Sequence, residues 1–159
     1  MPIVVRFVRS VGLASDGIVA LEKTAMPFTP SHAEAVTPDG FYLGAHLSGG
    51  VRKRPKSYDA GDISHELFLT LDATEDQSTA FYAFLDTHIG EPYDWKAIIG
   101  FLIPQHEHTP NHTICSALIA LALRAKGCEY FRWPLAAPAH LIDPRDLLLI
   151  LSARMAVPM

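Results

Sequence analysis

The sequence is poor in cysteine and in charged residues. Two cysteines, Cys115 and Cys128, occur in 159 residues, and this count excludes a disulfide-dense scaffold and a four-cysteine zinc site. Charged residues make up 19% of the chain and the formal net charge is −4, so the composition gives no reason to expect nucleic acid or an anionic membrane surface as a partner. With 49% hydrophobic residues, the chain has the composition of one compact domain that spans residues 1–159.

Long apolar runs are also missing. Segments 118–123 and 147–151 are apolar but far too short to span a bilayer. Residues 1–8 alternate like a strand and lack the apolar core of a secretory signal. We therefore expect a soluble protein that is cytoplasmic as synthesised and has no integral membrane segment, with later export left open. The sequence does not specify an oligomeric state.

The order of apolar patterns and turn signals predicts an α+β fold. Pro38-Asp39-Gly40 lies between two short apolar runs, and this tripeptide predicts a β-hairpin turn. We expect an antiparallel sheet with helices packed to one side of it. The predicted strands span 2–9, 32–36, 41–46, 51–54 and 65–71, and the predicted helices span 15–24, 75–89, 93–102, 114–126 and 144–153.

Cys115 lies at the start of a predicted apolar helix, with Thr113 as the expected N-cap and Gly127 as the expected C-cap. Unpaired backbone N–H groups and the helix dipole favour the thiolate at this end, and the thiolate is the nucleophilic form. Cys128 follows the other end of the helix, about 20 Å away, which is too far for a disulfide. Cys128 is expected to be a buried or semi-buried small residue, and a buried structural cysteine is the alternative for Cys115.

A nucleophilic thiol needs a base and a group that orients the base. His32 opens one strand of the predicted hairpin and His46 closes the other, so the two side chains are expected to be neighbours. His32 is the candidate base and His46 its candidate orienting partner. Glu34 lies two residues after His32 on the same strand face and is the alternative orienting residue.

Three further histidines, His106, His108 and His112, lie in a polar loop just before Cys115. Zinc accepts such ligands, but Pro110 interrupts any helical spacing between them. We expect no metal and no cofactor here, and we interpret the loop as one wall of a cleft.

Two stretches resemble the NlpC-type cysteine peptidases, which have a papain-like fold. The segment Ser31-His32-Ala33-Glu34-Ala35-Val36 and the strand ending at His46 resemble the histidine hairpin of that family. The segment Gly90-Glu91-Pro92-Tyr93-Asp94-Trp95, followed by Ile114-Cys115-Ser116-Ala117-Leu118-Ile119, resembles its tyrosine segment and cysteine helix. The histidine strands precede the cysteine helix here, and this order is similar to the circularly permuted branch, which includes YiiX-like proteins and lecithin:retinol acyltransferase relatives.

The resemblance implies a small antiparallel sheet or barrel packed against helices that include the cysteine helix. It implies Cys115 as nucleophile, His32 as general base, His46 as the third polar residue and Tyr93 as a support for oxyanion or substrate. The implied activity is thiol hydrolysis of an amide bond in a peptide, isopeptide or cell-wall peptide through a thioester. An acyltransferase or thioesterase acting on lipid-like acyl substrates, and a non-catalytic binding protein with the same fold, remain alternatives. The implied partner is a peptide or a small acyl-containing substrate.

Overall fold

The fold is known from a computed structural model, which describes residues 1–11, 28–92, 114–131 and 138–155. Within these ranges the chain forms an α+β structure, as predicted, with a five-stranded antiparallel sheet and three α-helices. The strands are β1 (Ile3–Ser10), β2 (His32–Val36), β3 (Tyr42–His46), β4 (Gly50–Arg54) and β5 (Ile63–Leu71). The helices are α1 (Glu75–Thr87), α2 (Cys115–Arg124) and α3 (Pro144–Met155), and a short 3-10 helix covers Ala139–Leu141.

The sheet has the strand order β4-β3-β2-β1-β5, so β1 is paired on both sides. The predicted hairpin is confirmed, because β2 and β3 pair in antiparallel fashion across the turn at Pro38-Asp39-Gly40. Gly40 has a φ of +84°, a conformation that glycine adopts without steric cost. The hairpin brings the first residue of β2 and the last residue of β3 to the same end of the sheet.

The two faces of the sheet differ in chemistry. One face is apolar, because alternate residues of the central strands join the hydrophobic core that also includes side chains of α1, α2 and α3. The opposite face carries charged and aromatic side chains, since the residues between those positions point the other way. Side chains of the sheet in the core are Ile3, Val5, Phe7, Ala33, Ala35, Leu43, Ala45, Val51 and Leu71.

Helix α2 packs on the apolar face of the sheet against β2 and β3. Eight of its ten residues are buried, including Leu118, Ile119 and Leu123. Ser116 is also buried and donates from its hydroxyl to the carbonyl of Ile142, at 2.6 Å. This hydrogen bond ties the start of α2 to the segment before α3 and occupies the hydroxyl next to the cysteine.

The predicted ends of α2 were wrong by one to two residues. Ile114, whose side chain makes no capping hydrogen bond, is the N-cap residue in place of Thr113. The C-cap is Ala125, so Gly127 lies two residues past the helix end. Cys128 is buried, as predicted, and both cysteines are free thiols.

Several predicted elements lie outside the described residues. They are the helices at 15–24 and 93–102 and the histidine loop before α2. Among the helices that the structure describes, none has the length and the hydropathy needed to cross a membrane.

Candidate functional site

Cys115 and His32 meet at one end of the sheet, where β2 and α2 both begin. The thiol and the imidazole lie close enough that each shifts the pKa of the other. The backbone amides of Ala33 and Ser116 also act on the thiol and lower its pKa. The Cys115 side chain therefore faces the base that the sequence predicted for it, and it lies at a helix N-terminus.

The electrostatics of the pair favour the ionised forms. Burial alone raises the pKa of Cys115, but the charge and hydrogen bond of His32, together with the two backbone amides, outweigh it and lower the pKa of the thiol. Burial likewise lowers the pKa of His32, and the negative charges and hydrogen bonds of Cys115 and Glu34 raise it to about 10. A thiolate beside an imidazolium is the form in which a cysteine acts as a nucleophile.

Glu34 lies behind His32 and is fully buried. Its Oε2 atom lies 3.5 Å from His32 Nε2 and 3.2 Å from His46 Nε2. Burial raises the pKa of Glu34, but its hydrogen bonds and charge interactions with both histidines lower it overall, well below the ordinary range. The Glu34 carboxylate therefore stays ionised and lies in position to orient the His32 ring. Because His32 Nε2 faces Glu34 and His46, Nδ1 is the nitrogen left to face Cys115.

His46 lies beside His32, as the hairpin predicted. The two Nε2 atoms are 3.1 Å apart, and the ring centroids are 4.2 Å apart. Burial and the charge of His32 lower the pKa of His46 to about 4, so this ring is neutral near pH 7. Both candidate orienting residues, Glu34 and His46, therefore lie beside His32. Of the two, only Glu34 is charged near pH 7.

Arg6 holds the other side of the Glu34 carboxylate. Its Nη1 atom lies 2.6 Å from Glu34 Oε1 and 2.8 Å from Asp59 Oδ2, and its Nη2 atom lies 2.9 Å from Glu66 Oε2. The guanidinium is almost fully buried and also lies over the Tyr42 ring, 4.1 Å from its centroid. Arg6 therefore fixes the position of Glu34 and compensates its charge in a buried setting.

Tyr58 lies in the turn between β4 and β5. Its side chain completes the polar layer, which consists of His32, Glu34, His46, Arg6 and Tyr58. Its hydroxyl lies 3.2 Å from Glu34 Oε2 and 3.3 Å from His46 Nε2. Burial and the neighbouring Glu34 charge raise the pKa of Tyr58, so the phenol keeps its proton and donates it as a hydrogen bond. Its ring meets the edge of the His46 ring at 5.2 Å between centroids.

Gly44 leaves the space that Glu34 occupies. A Cβ atom at position 44 would lie 2.8 Å from Glu34 Cβ, closer than two carbon atoms approach without displacement. The Glu34 side chain is thus buried between β1 and β3. Glycine at position 44 of β3 leaves the room for it, because a side chain there would collide with Glu34.

Sequence reasoning missed five residues around the Glu34 ion pairs, namely Arg6, Tyr42, Tyr58, Asp59 and Glu66. Arg6 did leave a signal, because it interrupts the apolar run Ile3-Val4-Val5-Arg6-Phe7-Val8 in a strand that is otherwise buried. Tyr58 and Asp59 left none, since their contacts depend on how one turn folds over the sheet. Four predicted residues lie outside the described residues, and these are Tyr93, His106, His108 and His112.

No protein-family model matches the chain. No curated protein matches it either. The chemistry of the site is therefore inferred from its own geometry: a buried thiol paired with an imidazole, and a buried carboxylate that is fixed by an arginine and orients that imidazole.

Proposed function

We propose that the protein is a cysteine hydrolase that cleaves an amide bond through a thioester on Cys115. The observation that carries this proposal is the pairing of the buried Cys115 thiol with the His32 imidazole, with the Glu34 carboxylate 3.5 Å from the same ring. A nucleophile, a base and a group that orients the base are the three parts that thiol acyl-transfer chemistry requires.

In the proposed reaction, His32 holds the proton of the Cys115 thiol. The thiolate attacks the amide carbonyl carbon, and the C–N bond breaks as His32 donates its proton to the leaving amine. Water then attacks the thioester carbonyl carbon as His32 takes one of its protons, and the C–S bond breaks. The acid is released, and the thiolate of Cys115 again lies beside the protonated His32. Backbone N–H groups at the start of α2 lack intrahelical partners and are available to the oxyanion.

We also propose that the fold is a circularly permuted papain-like fold of the NlpC type. The order of the elements supports this assignment, because the strand with the base precedes the helix with the nucleophile. The packing of α2 on β2 and β3 supports it as well, since that contact brings Cys115 to His32. A peptide, isopeptide or cell-wall peptide is the substrate class that we propose with it.

The test measures the alkylation rate of Cys115 by iodoacetamide at about pH 6, where an ordinary thiol is almost entirely protonated. The experiment uses Cys128→Ala protein with a chelator present, so that Cys115 is the single thiol. We expect alkylation at least about tenfold faster than that of a free thiol, and a loss of this advantage in His32→Ala. His65→Ala is the matched control, because His65 is exposed and lies outside the site.

A second measurement detects the proposed thioester on Cys115 directly. The Cys128→Ala protein is mixed with an activated ester such as p-nitrophenyl acetate, and mass spectrometry after an acid quench locates the acyl group. Acylation of Cys115 that depends on His32 supports the proposal. An unreactive Cys115 in folded protein, or equal rates with and without His32, would refute it.

A further inference from the structure

Three ligand atoms converge on one point behind the thiol–imidazole pair. His32 Nε2 and His46 Nε2 are 3.1 Å apart, His46 Nε2 and Glu34 Oε2 are 3.2 Å apart, and His32 Nε2 and Glu34 Oε2 are 3.5 Å apart. Among the described residues, these three form the one cluster of histidine, cysteine or carboxylate groups whose atoms lie close enough together to share a metal ion.

Protons alone cannot bridge all three sides of this triangle at once. Each imidazole Nε2 carries at most one proton and the carboxylate carries none when ionised. If one nitrogen is protonated, the contact between the other nitrogen and the carboxylate has no bridging proton. If both are protonated, the two N–H groups face each other. In every arrangement at least one of the three contacts is left without a hydrogen bond, whereas a cation at the centre satisfies all three.

We infer that His32, Glu34 and His46 form a binding site for a divalent cation of the zinc class. Zinc binds imidazole nitrogen and carboxylate oxygen at about 2.0 to 2.2 Å, so ligand atoms around a tetrahedral zinc ion are separated by roughly 3.3 to 3.6 Å. The observed separation of 3.5 Å lies within that range, and those of 3.1 and 3.2 Å lie just below it. Two imidazoles with one carboxylate suit zinc, whereas Mg²⁺ and Ca²⁺ prefer oxygen ligands.

The surroundings hold the ligands in this arrangement. Arg6 binds Oε1 of Glu34 at 2.6 Å and so leaves Oε2 for the cation. The Tyr58 hydroxyl lies 3.2 Å from the same Oε2 atom. Such hydrogen bonds to ligating groups set their orientation and contribute to metal affinity. Three protein ligands leave a coordination position for water or an exogenous ligand.

The cation site goes beyond the proposed hydrolase, and it stands whether or not Cys115 is catalytic. Its consequence for the reaction does rest on the proposed function. The Nε2 lone pair of His32 binds either a proton or the cation, so the bound cation replaces the contact between His32 and Glu34 on which the acid–base cycle depends. Zinc would then be an inhibitor of this site, released by a chelator.

Isothermal titration calorimetry with Zn²⁺ on chelator-treated protein tests the site. The Cys115→Ala, Cys128→Ala double variant removes both thiols, and we expect it to keep a single zinc site per chain. His46→Asn is expected to weaken binding at least about tenfold, since removing a ligand costs no less than removing an outer partner. His65→Asn, at an exposed histidine on β5, is expected to bind zinc as before.

Co²⁺ provides a second readout, because its visible spectrum reports the geometry of its ligands. The thiol-free protein is expected to give a spectrum of a nitrogen- and oxygen-ligated site, which His46→Asn abolishes. A Mg²⁺ titration is expected to give no binding at this site. The inference is overturned if zinc binding is absent in folded protein, if it is unchanged in His46→Asn, or if it disappears when the thiols are removed.

The outcomes separate the two proposals. Zinc binding by the thiol-free variant together with an unreactive Cys115 in the wild type would retain the cation site and refute the hydrolase. A reactive, His32-dependent Cys115 with no zinc binding would refute the cation site and leave the hydrolase proposal standing. If both are present, acylation of Cys115 by the activated ester is expected to slow at least about tenfold with zinc bound and to recover with chelator.

Discussion

Arg6 and Glu34 are direct partners across β1 and β2, and their charged ends are 2.6 Å apart with both side chains buried. Burial lowers the pKa of Arg6, but its contacts with Asp59, Glu34 and Glu66 outweigh this and raise it overall. The pair fixes one oxygen of Glu34 and presents the other to the two histidines. An ion pair inside the sheet thus sets the position of Glu34 beside His32, the proposed base.

Replacing Arg6 with methionine is expected to destabilise the protein strongly. The substitution leaves Glu34 buried without its cation, and breaking a buried ion pair from one side costs about 3–5 kcal/mol. Urea unfolding at neutral pH measures the change. Lys53→Met is the control, because Lys53 pairs with Asp39 and Asp86 at the surface, where a pair contributes about 1 kcal/mol or less. Equal losses in the two variants would contradict the role given to Arg6.

Acid is expected to unfold the protein in part through Glu34. The pKa of Glu34 in the fold lies below its ordinary value of 4.5, so its contribution to stability is present above that value. The contribution is lost as the pH falls from 4.5 toward the folded-state pKa. Glu34→Gln does not titrate, and its free energy of unfolding is expected to depend less on pH in that range. Urea titrations at several acidic pH values measure both slopes, and parallel slopes would rule out this source of acid sensitivity.

Glu34 and His46 are expected to differ in their effect on Cys115. Glu34→Gln removes the charge that stabilises the His32 imidazolium, so we expect Cys115 alkylation at about pH 6 to slow by about tenfold, equivalent to roughly one pKa unit. The pKa of His46 is lowered to about 4, so His46→Asn removes no charge and is expected to slow alkylation less than about threefold.

This comparison is made in Cys128→Ala protein with chelator present, and circular dichroism checks that each variant is folded. Slower alkylation in His46→Asn than in Glu34→Gln would make His46 the residue that orients the base. The pH profile of the rate adds a readout that a change in packing alone would not move, because loss of the Glu34 charge shifts the profile toward higher pH.

Gly44→Ala is expected to damage the site although it replaces no titratable residue. The new Cβ atom would meet Glu34 Cβ at 2.8 Å, and such overpacking costs about 1–3 kcal/mol. Displacement of Glu34 is expected to slow Cys115 alkylation as well. Gly40→Ala is the control, because Gly40 has a φ of +84° and open space around it. Its substitution is expected to lower stability by about 1 kcal/mol and leave the alkylation rate unchanged. An unchanged alkylation rate in Gly44→Ala would contradict the steric argument.

The local elements of the fold could be predicted where pattern and turn chemistry agree. The β2–β3 hairpin followed from Pro38-Asp39-Gly40, and the hairpin alone predicted that His32 lies beside His46. The ends of α2 could not be predicted to the residue. Ile114 serves as N-cap without a side-chain hydrogen bond and is buried, so no side-chain capping signal in the sequence marks the helix start.

The polar layer around His32 was predicted only in part. Glu34 was expected near His32 because two residues along a strand return to the same face. The partners of Glu34 come from β1 and from the turn after β4, and their positions depend on strand order and register. No local pattern encodes strand order or register. The charge of Arg6 inside an apolar strand was therefore a signal without a visible partner, and Tyr58 gave no signal.

The separation of His32 and Cys115 along the chain has a consequence for folding kinetics. Their contact closes a loop of more than eighty residues, and contacts of that span form late because the entropy of closing the loop opposes them. During refolding, the thiol should therefore keep ordinary reactivity until β2 and α2 have docked. Pulsed alkylation of Cys115 at mildly acidic pH would then measure the rate of the last folding step. The fraction of protein that is alkylated rapidly is expected to grow only as native molecules accumulate.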